Sequence, residues 1–264
     1  MQSKTLFPLF ALIALIVVVG LACSTSSPSP TPTPTQIPPT DTPLPTPTET
    51  PPPTATPDYA ATQAAQATAA VAARQAEIEA ELQKLELPTD NGHVLWVQAE
   101  DVALHMVGGM NQMDYAPLAE GITASDFVLK VDMIWDTNSW PVCGLVFRAS
   151  EEDLGFADFY LVQFLRFSGL PAWDIEYYKR GDYVTIITQK VRFSDALKLD
   201  SGAVNQIVLH AVENNFTVYI NGRRQGRYPD FSNILHEGSF AVAGIQDGGE
   251  TTCTFSNGWI WSYK

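Results

Sequence analysis

The sequence of 264 residues is short of positive charge and of cysteine. It contains 15 Lys and Arg residues against 29 Asp and Glu residues, which gives a net charge of −14. Because nucleic-acid phosphates are bound by clustered Lys and Arg side chains, this composition argues against a nucleic-acid partner. The three cysteines and four histidines form no cluster with the spacing of zinc ligands, and no Ser-His-Asp arrangement stands out among them.

Proline is scarce outside one segment, because 13 of the 19 prolines lie between Ser24 and Pro57. Residues 24–57 are rich in Pro and Thr and carry almost no apolar side chains, so they cannot bury enough surface to offset the entropy of ordering. We therefore expect a disordered tether, which in polyproline geometry reaches on the order of 100 Å. The rest of the chain leaves roughly 170 residues for one folded domain.

Long apolar runs are also scarce, and the one present extends from Leu6 to Ala22. Lys4 precedes this run and Cys23 follows it after a small residue, which resembles a bacterial lipoprotein signal. Residues 1–23 are thus expected to be a signal peptide, with lipidated Cys23 anchoring the chain to the membrane. The alternative is an uncleaved membrane anchor, since an apolar run of this length is just long enough to span. Both interpretations predict an extracytoplasmic location on the outer face of the cell membrane.

Residues 58–88 are rich in Ala, Gln and Glu, which are strong helix formers. Ile78, Leu82 and Leu85 follow one another at spacings of four and three, so they lie along one stripe of the helix. This pattern predicts an Ala-rich stalk helix that docks its end on the folded domain, with a short coiled coil as the alternative. Pro88 ends the helix.

Residues 91–264 show an apolar period of two, which is the period of β-strands. About ten to twelve strand-like segments follow one another, divided by turn signals such as Asn91-Gly92 and Arg180-Gly181-Asp182. No convincing helix lies among them. Regularly spaced strands without helices predict an all-β domain, either a β-sandwich or a barrel.

Four parts of this region resemble, in order, the concanavalin A-like lectin and glucanase jelly roll, a family that includes laminin-G-like modules. They are FVLKVDMIW with GLVFRAS, FYLVQF, FTVYINGRRQG, and GSFAVAGIQ with FSNGWIW. The resemblance covers residues 94–264 and implies an antiparallel β-sandwich of the jelly-roll type. Proteins of this family either bind glycans or cleave them, so both activities are considered.

Retaining glucanases of this family carry two Glu residues with an Asp between them, as Glu-x-Asp-x-x-Glu or a close variant. The nearest segment here is Trp173-Asp174-Ile175-Glu176, which has only two acids in a different order. Asp174 and Glu176 lie on one face of a strand, roughly 7 Å apart, and solvated polar positions explain them equally well. We therefore expect a non-catalytic module.

The resemblance implies a glycan-binding face, on which aromatic side chains stack on sugar rings and polar groups bind hydroxyls. Consecutive predicted strands carry polar side chains at alternate positions, and these are predicted to line one face: Arg148, Gln163, Glu176 and Tyr178. Trp140 lies in a loop with little core to fill, so it is either an exposed ligand contact or packed within the loop. Four other tryptophans are expected in the core or at its edge: Trp135, Trp173, Trp259 and Trp261.

Calcium is the one cofactor considered, because calcium sites are common in such modules. Asp247, beside Gly248-Gly249, is the candidate ligand, and an ordinary turn explains these residues equally well. With Cys23 assigned to lipid, an oxidising compartment favours a disulfide between Cys143 and Cys253. Two buried free thiols are the alternative.

The predicted protein is thus a surface-anchored, non-catalytic binding module whose partner is a carbohydrate or a cell-surface protein. The alternatives are a glycoside-processing enzyme with a different site and a structural domain for protein assembly. Exposed aromatics on one face favour the binding module, and two carboxylates about 5–9 Å apart across a cleft favour the enzyme. An apolar patch without a cleft favours the assembly domain.

Overall fold

A computed structural model describes residues 59–263, apart from Gly109, Asn138 and Ser139. The predicted signal peptide and tether, and with them Cys23, lie outside the described residues. Within the described part, the chain forms one α-helix followed by 14 β-strands. The strands build two antiparallel sheets that pack as a sandwich, which confirms the predicted fold class.

Each sheet has seven strands, numbered here in chain order. Sheet A has the spatial order β1 (His93–Val97), β14 (Glu250–Ser262), β4 (Phe127–Thr137), β10 (Val204–Val212), β11 (Asn215–Ile220) and β12 (Arg223–Pro229), with β2 (Val102–Val107) also paired to β14. Sheet B has the order β3 (Met110–Pro117), β13 (Ser239–Asp247), β5 (Pro141–Ala149), β6 (Phe159–Phe167), β7 (Leu170–Lys179) and β8 (Asp182–Ile186), with β9 (Arg192–Phe193) paired to β7. The chain therefore passes repeatedly from one sheet to the other.

The main core lies between the two sheets and is rich in aromatic rings. Phe147 of β5 packs against Tyr160 of β6 and Phe216 of β11, with ring centroids 5.2 Å and 5.0 Å away, and these two rings also contact each other. Alternate residues of each strand point into this layer, as the period of two requires. Trp135 and Trp173 are also buried in this core.

A disulfide joins Cys143 of β5 to Cys253 of β14, with a Cα–Cα distance of 5.8 Å. Both cysteines are buried in the main core. The bond connects sheet B to sheet A across a sequence separation of 110 residues. Of the two states considered from the sequence, the structure therefore contains the disulfide.

The helix α1 (Tyr59–Lys84) docks its C-terminal part on the outer face of sheet A. Ile78 and Leu82 are completely buried there, in one cluster with Trp259 and Trp261. The helix ends earlier than residue 88, because Glu86 adopts a φ of 57° and the Leu87 amide donates back to the Leu82 carbonyl, as in a helix C-cap. Among the described residues there is no helix of the length and hydropathy that a membrane span requires.

Candidate functional site

The outer face of sheet B brings together three of the residues predicted from the sequence. In the β6–β7 pair, Gln163 lies opposite Asp174, and Leu161 lies opposite Glu176. Paired residues of antiparallel strands point to the same face, and alternate residues of β7 point into the core. Gln163, Asp174, Glu176 and Tyr178 therefore share the outer face, and we refer to these four residues as the polar cluster.

The polar cluster is held together by hydrogen bonds between its own side chains. Gln163 Nε2 donates to Asp174 Oδ1 at 2.8 Å, and the Tyr178 hydroxyl donates to Glu176 Oε2 at 2.9 Å. The ring of Tyr178 stacks on Phe159 with 4.8 Å between centroids, which fixes the direction of its hydroxyl. Asp174 is only 1 % exposed, so the carboxylate lies at the base of the cluster.

Both acids of the polar cluster have pKa values near neutrality. Burial raises the pKa of Asp174 to about 6, although the hydrogen bond from Gln163 opposes the shift. Burial, and then the negative charge of Asp174, raise the pKa of Glu176 to about 7. A pair of acids that changes protonation near pH 7 can bind hydroxyl groups or exchange protons with a ligand.

A floor of small side chains lies beside the polar cluster. Gly144 of β5 pairs with Gln163 on one side and with Ala243 of β13 on the other, and Ala241 lies two residues along β13. A Cβ atom at Gly144 would approach Leu161 Cδ1 to 2.6 Å and the Val162 carbonyl oxygen to 2.8 Å, so the packing of β5 on β6 requires glycine. The side chain of Leu161 fills the space beside Gly144, and both Gly144 and Ala243 are buried.

Two tyrosines that were not singled out from the sequence flank this surface. Tyr183 of β8 is 55 % exposed and meets the ring of Tyr178 edge-on, with 6.0 Å between centroids. Tyr115 of β3 pairs with Ala243, and its hydroxyl donates to Asp153 at 2.7 Å. The polar cluster, the floor and these two tyrosines form the candidate site.

Arg148 does not share this face, which corrects the sequence-based assignment. It adopts a φ of 53°, and the β13–β5 register shifts beside it, so a local bulge changes which way the side chain points. The guanidinium is buried between the sheets, where it donates to the carbonyls of Ser125 and Leu235 at 2.6 Å and 2.9 Å. It also lies over the ring of Phe216. Arg148 therefore has a structural role.

Two further predicted residues lie outside the polar cluster. Trp140 is 50 % exposed and immediately precedes β5, four residues before Gly144. Asp247 is the last residue of β13, and its side chain is not among the parts that the structure describes. No group of three or more His, Cys, Asp or Glu side chains in the described ranges is arranged to hold a metal ion.

No family model and no curated protein sequence matches this chain. Solved structures that resemble it include the carbohydrate-binding module CBM66 from Bacillus subtilis, with 15% identity, a TM-score of 0.47, and 64% of this chain and 94% of that chain covered. The Bacillus licheniformis β-glucanase has 12% identity and a TM-score of 0.42, with 63% and 81% covered. At such identities the likeness concerns the fold alone. With TM-scores below 0.5, neither likeness carries an argument about the family or the ligand of this chain.

Proposed function

We propose that this chain is a carbohydrate-binding module whose site is the outer face of sheet B. The observation that carries the proposal is the polar cluster beside a floor of small side chains, with an exposed aromatic ring at its edge. Glycan sites combine aromatic faces with a few convergent polar groups in this way.

Each part of the candidate site has a role in such binding. The partly exposed carboxylate of Glu176 accepts hydrogen bonds from sugar hydroxyls, and such charge-assisted bonds are stronger than neutral ones. Asp174 lies buried behind it and influences its charge. The exposed ring of Tyr183 offers an apolar face for a sugar ring. Tyr115, which is 38 % exposed, offers a second aromatic ring on the far side of the floor from the polar cluster.

A glycan array with the full chain tests this proposal. We expect binding of a defined set of glycans that falls by about tenfold or more in Tyr183→Ala, because a lost aromatic contact and its buried area exceed about 1.4 kcal/mol. Phe231→Ala is the matched control, since Phe231 is 82 % exposed and lies outside both sheets. Parallel wells with calcium or a chelator test the involvement of Asp247. Absence of binding by the folded protein would refute the proposal.

A second candidate function, glycoside hydrolysis, is favoured by the two raised pKa values. Glycosidases use two carboxyl groups, of which the acid has a raised pKa. Adjacent same-face positions on a strand are roughly 7 Å apart, which falls within the spacing of about 6.5–9.5 Å typical of inverting enzymes. For this function we expect cleavage of the bound glycans that Glu176→Gln abolishes while binding remains. Binding without cleavage by the wild type would leave the module non-catalytic.

We also propose that lipidated Cys23 anchors the chain to the outer face of the cell membrane, with the Pro/Thr tether carrying the domain outward. The apolar run before Cys23 and the Pro/Thr-rich sequence after it support this location. Metabolic labelling with a radioactive fatty acid tests it. We expect label in the wild type and none in Cys23→Ala, which should leave the membrane fraction. An unlabelled wild-type chain that stays in the membrane would indicate an uncleaved anchor instead.

A further inference from the structure

A second concave site lies on sheet A, on the opposite side of the sandwich from the polar cluster. It is a cavity of about 730 Å³ between residues 84–88, which follow α1, and the outer face of β10, β11 and β12. Tyr263 closes one side of it. We call this cavity the helix–sheet cleft. Its volume lies within the range of about 300–1,000 Å³ that is usual for small-molecule sites.

The strand register lines the floor of the helix–sheet cleft with hydrogen-bonding groups. His210 of β10 pairs with Thr217 of β11, which pairs in turn with Arg227 of β12. In the next same-face row, Tyr219 of β11 pairs with Arg224 of β12. All five residues line the cavity, so two guanidinium groups, two hydroxyls and an imidazole border the same space.

Among the described residues, three of these groups have no hydrogen-bond or ion-pair partner. The Nε2 atom of His210 is buried and has no hydrogen-bond partner. Among the residues that the structure describes, neither Arg224 nor Arg227 has a side-chain hydrogen bond or an ion pair, whereas the adjacent Arg223 pairs with Asp195. Buried polar atoms are normally satisfied, so an orphan beside two unpaired cations points to a ligand that completes them.

The charge of the helix–sheet cleft is opposite to that of the whole chain. Three cationic side chains, Lys84, Arg224 and Arg227, line the cavity with two acidic ones, Glu86 and Asp126. The charge of Asp126 is partly offset by the buried guanidinium of Arg148, 4.0 Å away, and its carboxylate also accepts a hydrogen bond from the Glu213 amide at 2.8 Å. A local excess of positive charge on a protein of net charge −14 favours an anion at this position.

We propose that the helix–sheet cleft binds a small organic anion, whose carboxylate or phosphate group is held by Arg224 and Arg227 and hydrogen-bonded by His210. The planar guanidinium groups suit both carboxylate and phosphate. Burial, together with the positive charges of Arg227 and Arg224, lowers the pKa of His210 to about 4. The imidazole is therefore neutral at pH 7 and has one donor and one acceptor nitrogen. Tyr263 and Leu87 offer apolar surface for the body of the ligand.

Isothermal titration of the full chain tests this inference with three sugars of similar size. Glucose 6-phosphate carries a phosphate, glucuronate carries a carboxylate, and glucose is the neutral control. We expect at least one of the two anions to bind. Any binding of glucose should be weaker and should not change in Arg224→Gln/Arg227→Gln. Arg224→Gln/Arg227→Gln should weaken anion binding by about tenfold or more, because each charge-assisted hydrogen bond is worth about this factor.

The matched control is Arg223→Gln, which removes one positive charge from the same strand outside the cleft and is compared with Arg224→Gln and Arg227→Gln as single variants. Equal weakening by this variant would mean that net charge alone attracts the anion, and it would overturn the proposal. Failure of both anions to bind folded protein at millimolar concentration would overturn it as well. His210→Leu should weaken anion binding without lowering the unfolding temperature, since it removes an unsatisfied buried atom. Tyr183→Ala should leave anion binding unchanged, so the two sites are tested independently.

Discussion

At the scale of single residues, Asp174 and Glu176 carry the most consequential chemistry. Within the described residues neither forms an ion pair with a cation, and burial favours their neutral forms. Their pKa values of about 6 and about 7 in the folded state lie above the ordinary values of 3.8 and 4.5. The folded state therefore binds more protons than the unfolded state between about pH 4 and 7. Stability from these groups is present below the unfolded pKa values and is lost as the pH rises through the folded ones.

The first prediction follows for Glu176→Gln. Glutamine keeps an oxygen that accepts the hydrogen bond of Tyr178 but cannot ionise, so the cost of a buried charge disappears. We expect the variant to have a higher free energy of unfolding than the wild type at pH 8 and the same value at pH 4. Denaturant titrations at the two pH values measure this difference. Glu152→Gln, at an exposed position, should show no such pH-dependent gain, and a gain of equal size there would contradict the explanation.

The sequence predicts which side chains share the candidate site only where side chains alternate regularly between the two faces of a strand. Gln163, Glu176 and Tyr178 were found because β6 and β7 form a hairpin without a bulge between them, so the period of two places all three on one face. Arg148 was misplaced because its positive φ breaks that phase. Tyr183 could have been found, since the turn at Arg180-Gly181 sets it opposite Tyr178. Tyr115 could not, because β3 and β13 are far apart in sequence.

At the scale of the elements, the disulfide between β5 and β14 is a covalent cross-link between the two sheets, in addition to the turns of the chain that connect them. It closes a loop of about 110 residues, and a bond of this kind restricts the unfolded chain strongly. We predict that Cys143→Ala/Cys253→Ala lowers the free energy of unfolding by about 2–5 kcal/mol. Urea titration measures the loss. Added reductant should lower the urea midpoint of the wild type and leave that of the variant unchanged. An unchanged midpoint of the reduced wild type would contradict the prediction.

The docking of α1 depends on few side chains, of which Leu82 is completely buried. We predict that Leu82→Ala loosens the end of the helix, because buried Leu→Ala changes cost about 2–5 kcal/mol. The expected signs are faster amide exchange in residues 78–84 and a red shift of tryptophan fluorescence as Trp259 and Trp261 become solvated. Gln83→Ala, at an exposed position of the same helix, is the control. Unchanged exchange in Leu82→Ala would show that the helix is held by other contacts.

Most elements were predictable from periodicity, and the exceptions have physical reasons. Most strands that form the core carry apolar residues at alternate positions over six or more residues, so their sequences alone identify them. The segments of β2 and β3 contain His105, Asn111 and Gln112 among their apolar residues, which obscures the alternation. The short β9 has only two residues, too few for any period. The end of α1 was placed too late because the cap at Glu86 depends on backbone conformation rather than on composition.

At the scale of the whole molecule, the two faces of the sandwich carry ionisable groups with opposite effects on stability. The pKa of His210, beside Arg224, Arg227 and Asp126, is lowered to about 4, below its unfolded value of 6.5. The folded state therefore binds fewer protons than the unfolded state between about pH 4 and 6.5. Stability from His210 is complete above the unfolded pKa and is lost as the pH falls toward 4. The contribution of the sheet B acids to stability changes in the opposite direction, because it is lost as the pH rises over nearly the same range.

These opposing slopes lead to the last prediction. Between pH 4.5 and about 6.5 the stability of the wild type should fall with rising pH, but less steeply than the two acids alone would cause, because the single imidazole offsets only part of their contribution. His210→Leu removes the contribution of the imidazole, so its stability should fall more steeply as the pH rises. Asp174→Asn/Glu176→Gln removes that of the acids, so its stability should rise over the same interval. Urea titrations of the three proteins across this range measure the slopes. Parallel curves for all three would mean that neither site controls the pH response, whereas diverging curves would trace each slope to its own face of the sandwich.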